Sequence, residues 1–279
     1  MRRLLINVCL LLAFKILIFS VPAHATNEVF ISTLKLDDSF LSMEPKSHIL
    51  YLEDDLHALQ KEDIINSESL EWLALPNSSA NFGFSDSVFW FKFSLQNIGA
   101  HLQELYIHID YALLDKINIY QINDHKILSE FDAGDHFPFQ DRPVKFPTFL
   151  FPINIESNST SDVYIRIETQ GTLHVPISIW NKDHFLLDSQ SFLFLYGCFL
   201  SAMLIMSAYN LCLFFSIRDK NYLIYSIFIL LATGVHSSLD GFAYQWFWPN
   251  LPSWHQISAV FFIATGCFVT TLFTQALLP

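Results

Sequence analysis

Charged residues are scarce in this sequence. Asp, Glu, Lys and Arg make up 15% of the 279 residues, whereas a soluble domain usually carries about 25%. Hydrophobic residues reach 52% and are concentrated in the first 25 residues and in roughly the last 90. This distribution predicts membrane segments at both ends of the chain.

The few charges are unevenly distributed. Residues Thr26–Gln190 hold 25 of the 27 acidic residues but only ten of the 15 Lys and Arg. Because phosphate binding needs clustered Lys and Arg, nucleic acid is not an expected partner. The acidity indicates a solvated surface or, as the alternative, a preference for cationic or neutral ligands.

Cysteine is scarce too, with Cys9, Cys198, Cys212 and Cys267 as the four positions. All four lie in the apolar ends of the chain, so the acidic middle part is not a disulfide-stapled domain. Its roughly 165 residues are enough to bury an ordinary hydrophobic core.

Catalytic motifs are missing: the sequence contains no Walker A loop, G-x-S-x-G, H-E-x-x-H or C-x-x-C. The chain is therefore not expected to be an enzyme, and no catalytic residue, metal ligand or cofactor is assigned. His108 and Asp110 share a strand face and could contact one metal ion. Two ligands do not make a site, however, and an ordinary solvent-facing pair is the alternative.

The first 25 residues, Met1–Ala25, have the pattern of a secretory signal peptide. Arg2 and Arg3 precede an apolar stretch, and Ala23-His24-Ala25 gives an A-x-A cleavage pattern. The alternative is an uncleaved membrane helix, which Lys15 makes short because a span needs about 20 apolar residues.

The alternation of apolar and polar residues over 26–187 predicts an extracytoplasmic β-domain. In Val88–Asn97 the side chains of Phe89, Phe91, Phe93 and Leu95 alternate with more polar ones, as in a half-buried strand. Similar short strands, separated by Gly, Asn, Asp and Pro, predict an all-β sandwich or jelly roll. Within it, Asp55–Asp63 predicts a short helix with Asp54 or Asp55 as its N-cap.

The C-terminal third predicts transmembrane α-helices at 191–217, 221–239 and 258–278. Arg218 and Lys220 lie in the short loop between the first two, so the positive-inside rule places that loop in the cytoplasm. The expected location is the bacterial inner membrane, with the β-domain in the periplasm and the C-terminus in the cytoplasm.

The connection 240–257 is predicted to be an extracytoplasmic aromatic loop. Its Phe, Tyr and Trp residues indicate either an interfacial belt or a docking surface for the β-domain. His236 and Asp240 lie near this end, and a functional role for them is the alternative to a position at the interface.

Aromatic side chains on the outer strand faces are the candidate ligand-binding residues. Trp72, Trp90, Tyr106 and Tyr120 are expected either to stack on a sugar or other flat ligand, or to form a second buried layer. Arg142 could bind a carboxylate or phosphate, with a structural salt bridge as the alternative.

The order of several motifs resembles a known family, the bacterial seven-transmembrane receptors with diverse intracellular signalling modules. The matching stretches lie in the β-domain and in the first membrane helices. They are Phe82–Phe93 with Leu95 and Asn97, Asp115–Tyr120, Gly134-Asp135, Asp141-Arg142-Pro143, Tyr164–Ile167, Val175–Trp180, Tyr209-Asn210-Leu211 and Arg218–Tyr225.

The resemblance implies a jelly-roll domain similar to carbohydrate-binding modules, a seven-helix bundle and a cytoplasmic output such as a histidine kinase or a diguanylate cyclase. Because the third predicted helix reaches the end of the sequence, any such output is expected beyond Pro279. The leading hypothesis is a sensor that binds a small molecule, with carbohydrate as the candidate class and a second copy of the chain as a further partner. The alternatives are a scaffold for a protein or cell-wall partner and a carbohydrate-active enzyme.

Overall fold

The computed structural model describes residues 33–67, 70–75, 80–124 and 126–277. The predicted signal peptide, Met1–Ala25, lies outside the described residues. Within them, strands come first and long helices follow. The elements are β1 (Leu34–Leu36), β2 (Ser42–Met43), β3 (Leu50–Asp54), α1 (Lys61–Asn66), β4 (Leu73–Ala74), β5 (Asn81–Phe84), β6 (Val88–Asn97), β7 (Gln103–Ile109), β8 (Lys116–Asn123), β9 (Lys126–Ala133), β10 (Phe149–Ile155), β11 (Thr160–Glu168), β12 (Thr172–His174), β13 (Ile177–Asn181), α2 (Lys182–Ile217), α3 (Lys220–Leu239), α4 (Phe242–Trp246) and α5 (Pro252–Leu277).

The strands form a β-sandwich, which confirms the predicted fold class. One sheet has the strand order β4-β3-β6-β11-β8-β9, and β1 runs parallel to β6 beside it. The facing sheet has the order β10-β7-β13-β2, and β5 pairs with β12 in a separate ribbon. The pairs along both sheets are antiparallel.

The core lies between the two sheets and follows the alternation along β6. Phe89, Phe91 and Phe93 point inward and are fully buried, as the sequence predicts. They pack with aliphatic side chains such as Ile107 on the facing sheet and Ile119 on β8. Burial of each large apolar side chain contributes about 1.5–3 kcal/mol, so this face holds the sandwich together.

A second, smaller apolar layer covers the outer face of the first sheet. Ile64 of α1 packs there against Trp90, Tyr120 and Tyr164. This helix begins at Lys61, so the prediction of a helix over Asp55–Asp63 is wrong in position. The carboxylate of Asp54 instead accepts hydrogen bonds from the backbone N–H groups of Ala58 and Leu59, at 3.1 and 2.9 Å, and so holds a turn.

Helices α2, α3 and α5 are long and apolar enough to cross a membrane. Helix α3 contacts both of the others. The hydroxyl groups of Ser207 and Ser226 lie 2.9 Å apart where α2 meets α3, and small side chains of this kind let helices approach closely in lipid. Helix α2 begins at Lys182, well before the predicted span 191–217, because Asn181 caps it directly at the end of β13.

Candidate functional site

A small polar pocket of about 360 Å³ lies on the outer face of the first sheet. Strands β6, β8 and β11 form its floor, and the start of α1 forms one wall. We call it the Trp90 pocket. It is lined by Leu59, Gln60, Lys61, Glu62, Trp90, Asn118, Tyr120 and Arg166.

The Trp90 pocket combines two rings with several hydrogen-bond donors. The rings of Trp90 and Tyr120 are stacked, with centroids 6.1 Å apart, and the Lys61 ammonium lies 5.6 Å from the Tyr120 centroid. Among the described residues, the buried indole N–H of Trp90 has no hydrogen-bond partner. An unpaired buried donor favours a ligand or water molecule that can accept from it.

Both cations of the pocket are held by acids at its edge. Lys61 Nζ lies 2.8 Å from a Glu130 oxygen, and this hydrogen bond raises the pKa of Lys61. Arg166 donates to Glu168 at 3.0 Å and to Asn118 at 3.3 Å. The two positive groups are therefore fixed in place within an otherwise acidic domain.

The other predicted ligand residues lie apart from this pocket. Trp72 is half-buried beside Tyr164, at 6.1 Å between ring centroids. Tyr106 is buried on the facing sheet, where Phe185 covers it at 5.7 Å. Of the five candidates, only Trp90 and Tyr120 come together in one pocket, while all four aromatic residues belong to apolar clusters.

A larger cleft of about 670 Å³ lies between the facing sheet and the first turns of α2. We call it the junction cleft, because the β-sandwich and the first long helix both contribute to its walls. Residues of β2, β7 and β13 form the sandwich side. The helix side consists of Phe185, Asp188, Ser189 and Phe192.

His108 lies in the wall of the junction cleft. Its Nε2 is 2.8 Å from the Thr148 hydroxyl and 3.6 Å from a carboxylate oxygen of Asp110, so the two residues do face each other as the sequence suggests. Burial lowers the pKa of His108, and the nearby Asp110 carboxylate opposes this shift only in part. Burial therefore disfavours the charged form of the ring.

The connection from β13 to α2 is direct. Asn181 ends β13, and its side-chain oxygen accepts hydrogen bonds from the backbone N–H groups of Asp183 and His184, at 3.1 and 3.3 Å. One turn later Phe185 inserts among the rings of Tyr106 and Trp180. The first turn of α2 therefore packs on the sandwich with no loop between them.

A second contact joins the sandwich to the loop between α3 and α5. The Tyr244 hydroxyl of α4 donates to the Phe137 carbonyl at 2.6 Å, and the Phe139 N–H donates to the Pro249 carbonyl at 2.8 Å. The docking alternative for the aromatic loop is therefore confirmed for Tyr244. Trp246 and Phe247, at 71% and 75% exposed, do not dock on the sandwich and remain available for the interfacial belt.

Arg142 lies at the centre of this second contact. It is buried and donates to the backbone carbonyls of Phe146, Pro147 and Thr148, at 3.0, 2.7 and 3.3 Å. Its guanidinium lies 4.3 Å from the ring centroid of Phe149. Burial lowers its pKa to about 10, so it stays positively charged, and it holds backbone rather than facing an open pocket.

Next to this contact lies a group of three residues that sequence reasoning did not bring together. One ligand atom from each of Asp115, Asp135 and His136 lies within 4.8 Å of the others. Asp115 precedes β8 and Asp135 follows β9, and the antiparallel pairing of these two strands brings the residues together. Burial first, and the Asp115 charge second, raise the pKa of Asp135 to about 7.

The polar residues at the outer end of the helices have local partners. The Tyr196 hydroxyl donates to Asp240 at 2.6 Å and also lies 3.1 Å from the His236 carbonyl. These bonds join α2 to the end of α3, and they give Asp240 a structural role there.

Comparison with solved structures gives weak similarity. A Bacillus thuringiensis Cry1Da tryptic core variant is 10% identical with a TM-score of 0.25, and the match covers 53% of this chain and 24% of that one. A family 35 carbohydrate binding module from an environmental isolate is 13% identical with a TM-score of 0.21, and the match covers 46% of this chain and 79% of that one. A GH31 alpha-xylosidase from Xanthomonas citri is 9% identical with a TM-score of 0.23, and the match covers 48% of this chain and 15% of that one. The chain thus spans about a quarter of the first of these structures. At such low scores these similarities carry no functional argument. No curated protein significantly matches the sequence.

Two family descriptions match adjoining parts of the chain. Residues 46–181 match "7TMR-DISM extracellular 2", and residues 192–279 match "7TM diverse intracellular signalling". The first match ends at the last strand of the sandwich, and the second covers the three long helices. The chain therefore belongs to the 7TMR-DISM family of membrane receptors and carries the extracellular domain at its N-terminal side.

Proposed function

We propose that the protein is a sensor in which the β-sandwich binds a small ligand outside the membrane and the helices transmit the change inward. The observation that carries the proposal is that the sandwich is attached to the helices at two places. One is the capped start of α2, and the other is Tyr244 of the loop between α3 and α5, which we call the outer loop. A ligand acts through these contacts only if it binds two arrangements of them with unequal affinity.

For the ligand, the Trp90 pocket supports a hydroxyl-rich molecule such as a carbohydrate. Apolar rings provide a flat surface, while the Trp90 N–H, the Asn118 amide and Arg166 provide donors. Sugars present this combination of apolar ring faces and hydroxyl groups. The rings of Trp90 and Tyr120 are largely covered, so hydrogen bonds at the pocket contribute more than open stacking.

For the topology, we infer that the loop with Arg218 and Lys220 faces the cytoplasm of the bacterial inner membrane. These are the two Lys or Arg residues that follow Lys182 in the sequence. The positive-inside rule and the predicted signal peptide both favour this orientation. Reporter fusions placed in this loop and in the outer loop would test it.

The ligand proposal is tested by titrating the full chain in lipid nanodiscs with neutral sugars, uronic acids and peptidoglycan fragments. Binding is measured by thermal shift and by tryptophan fluorescence. We expect Trp90→Phe, which keeps a ring but removes the N–H, and Arg166→Gln each to weaken binding about tenfold. Trp246→Phe, at an exposed residue that lines neither pocket, is the matched control and should leave binding unchanged.

The outcomes separate the rival functions. A saturable shift that the two pocket variants weaken supports the sensor. Co-purification of a protein or of cell-wall material without any small-molecule shift would favour the scaffold. Release of a product from a glycan would favour a carbohydrate-active enzyme.

A further inference from the structure

We infer that the junction cleft is a second binding site, independent of the Trp90 pocket, and that it takes a small organic cation such as a di- or polyamine. Its volume of about 670 Å³ lies within the range of small-molecule sites, about 300–1,000 Å³. The Trp90 pocket opens on the outer face of the other sheet, so the two sites share no lining residue.

The charge of the cleft favours a cation. Three carboxylates line it, those of Glu44, Asp110 and Asp188. Lys46 is the one Lys or Arg among the lining residues, and Glu44 already pairs with it at 2.5 Å. Within the described part of the chain, Asp110 and Asp188 have no Lys or Arg within ion-pair distance.

The two histidines of the cleft differ from its Lys46 in what they offer a cation. Burial lowers the pKa of His108 and so disfavours a positive charge on its ring, although the Asp110 carboxylate opposes the shift. His174, which also lines the cleft, has a buried Nδ1 without a hydrogen-bond partner among the described residues. In a neutral ring this nitrogen can accept a hydrogen bond from an ammonium group.

Aromatic side chains complete the cleft. Phe146, Trp180 and Phe185 line the same cleft as the carboxylates. Carboxylates provide charge and hydrogen-bond acceptors for an ammonium group, while rings contact its alkyl stem and attract its charge through their π faces. The combination fits an amine with an apolar chain.

A metal ion fits this cleft less well. Among the described residues, the one group of three metal-type ligands close enough to share an ion is Asp115, Asp135 and His136, none of which lines the cleft. The carboxylates that line the junction cleft come from different parts of the chain, one before β3, one after β7 and one on α2. Carboxylates that come from different elements favour an elongated cation with a positive charge at each end.

Occupation of the cleft would join the sandwich to the membrane helix. Asp110 belongs to the sandwich, whereas Asp188 projects from α2 one turn beyond Phe185. A diamine that contacts both carboxylates stabilises the arrangement in which the start of α2 stays packed on β7 and β13. Release of the cation leaves the two acids unneutralised across the junction.

The test uses the full chain in nanodiscs of neutral lipid, with putrescine, spermidine and agmatine as probes and 1,4-butanediol and Mg²⁺ as references. Isothermal titration measures affinity at low and moderate salt. We expect the amines to bind and the diol not to bind, and Asp110→Asn and Asp188→Asn each to weaken amine binding by about fivefold or more. The control is Asp183→Asn, which removes an exposed acid from the same helix outside the cleft and should change affinity less than twofold.

Several results would overturn the inference. They are failure of all three amines to bind, equal weakening by the control and by the two cleft variants, and displacement of the amines by Mg²⁺ at equal concentration. Thermal unfolding of each variant checks that the fold is retained. Sugar binding at the Trp90 pocket is measured separately, and its failure leaves the amine result unaffected.

Discussion

Gly241 lies at the point where the outer loop comes closest to the β-sandwich. Its φ of +77° is a left-handed conformation that side chains disfavour, and a Cβ there would lie 2.2 Å from the Pro147 carbonyl oxygen. Pro147 O is also one of the acceptors of Arg142. A side chain at this position therefore opposes the docking of the loop directly.

We predict that Gly241→Ala destabilises the loop–sandwich contact by about 2 kcal/mol or more, from backbone strain and the clash together. The measurement is limited proteolysis of the outer loop in nanodiscs, with thermal unfolding alongside. Gly197→Ala is the matched control: that glycine lies within α2 with open space around its Cβ position, so alanine should be neutral or slightly stabilising there. Equal proteolysis of both variants would contradict the prediction.

Asp135 is a buried carboxyl group with a pKa of about 7, raised by burial and by Asp115. Because its folded pKa lies above the unfolded value of 3.8, the folded state holds the proton more tightly between these two pH values. Its contribution to stability is therefore complete below about pH 4 and is lost as the pH rises to about 7. Above that, the folded protein carries a buried charge.

We predict that Asp135→Asn leaves stability nearly unchanged at pH 4.5 and increases it at pH 8, by on the order of 1–3 kcal/mol. The amide resembles the protonated carboxyl group but does not ionise. Thermal unfolding of the full chain in nanodiscs at both pH values measures the difference. Asp124→Asn, at an exposed turn position with φ of 46°, should show no such pH dependence. A parallel gain at both pH values would contradict the assignment to Asp135.

The local sequence predicts which segments form strands better than it predicts where the helices begin. The alternation of Phe89, Phe91 and Phe93 is enough to place β6 and its inner face, since the period of a strand is two. The predicted helix over Asp55–Asp63 is wrong in position. The Asp54 carboxylate can accept backbone N–H groups in a turn as well as at the start of a helix, and the sequence does not distinguish the two. The early start of α2 at Lys182 depends on the Asn181 cap and on Phe185 packing.

The candidate site was harder to predict than the strands. Trp90 on β6 and Tyr120 on β8 lie on the outer face of the same sheet, with β11 between their strands, and alternation alone selects both. The pocket also needs Lys61 and Arg166, which come from distant positions in the sequence. For Arg142 the sequence leaves two alternatives, a carboxylate or phosphate ligand and a structural salt bridge. In the structure its guanidinium donates to three backbone carbonyls. Contacts of this kind depend on tertiary approach, which spacing does not encode.

In the proposed sensor, helix α2 is the element that would carry the signal, because it continues from the sandwich into the apolar region without a break. We predict that three flexible residues, Gly-Ser-Gly, inserted after Gln190 uncouple the helices from the ligand and leave binding at the Trp90 pocket intact. Hydrogen exchange in α2 and α3, with and without bound ligand, measures the coupling.

A control insertion separates helix continuity from added length. Four alanines at the same place add about one turn and keep the helix and its facing side nearly in register. They should preserve more of the ligand-induced change in hydrogen exchange than the flexible insertion does. An undiminished ligand response after the flexible insertion would refute the role of α2.

Part of the apolar surface of the sandwich is buried by the helical region. Tyr106 and Leu150 lie on the outer face of the sheet that faces α2, and both are buried under Phe185. The ring of Phe185 also lies 5.3 Å from those of His108 and Phe146. Removing the start of α2 would expose this apolar cluster, which is not part of the core between the sheets.

We therefore predict that a soluble fragment of residues 26–190 is more stable than one of residues 26–181. Burial of one large aromatic side chain contributes about 2 kcal/mol, which corresponds to roughly 5 °C in Tm for a domain of this size. Phe185→Ala in the longer fragment should remove most of the difference, because the nine added residues otherwise stay the same. Both fragments lack the outer loop, so the comparison isolates the α2 contact. Equal Tm values for all three proteins would mean that the sandwich carries its fold alone and that α2 only rests against it, which would also weaken the case for signal transfer through this junction.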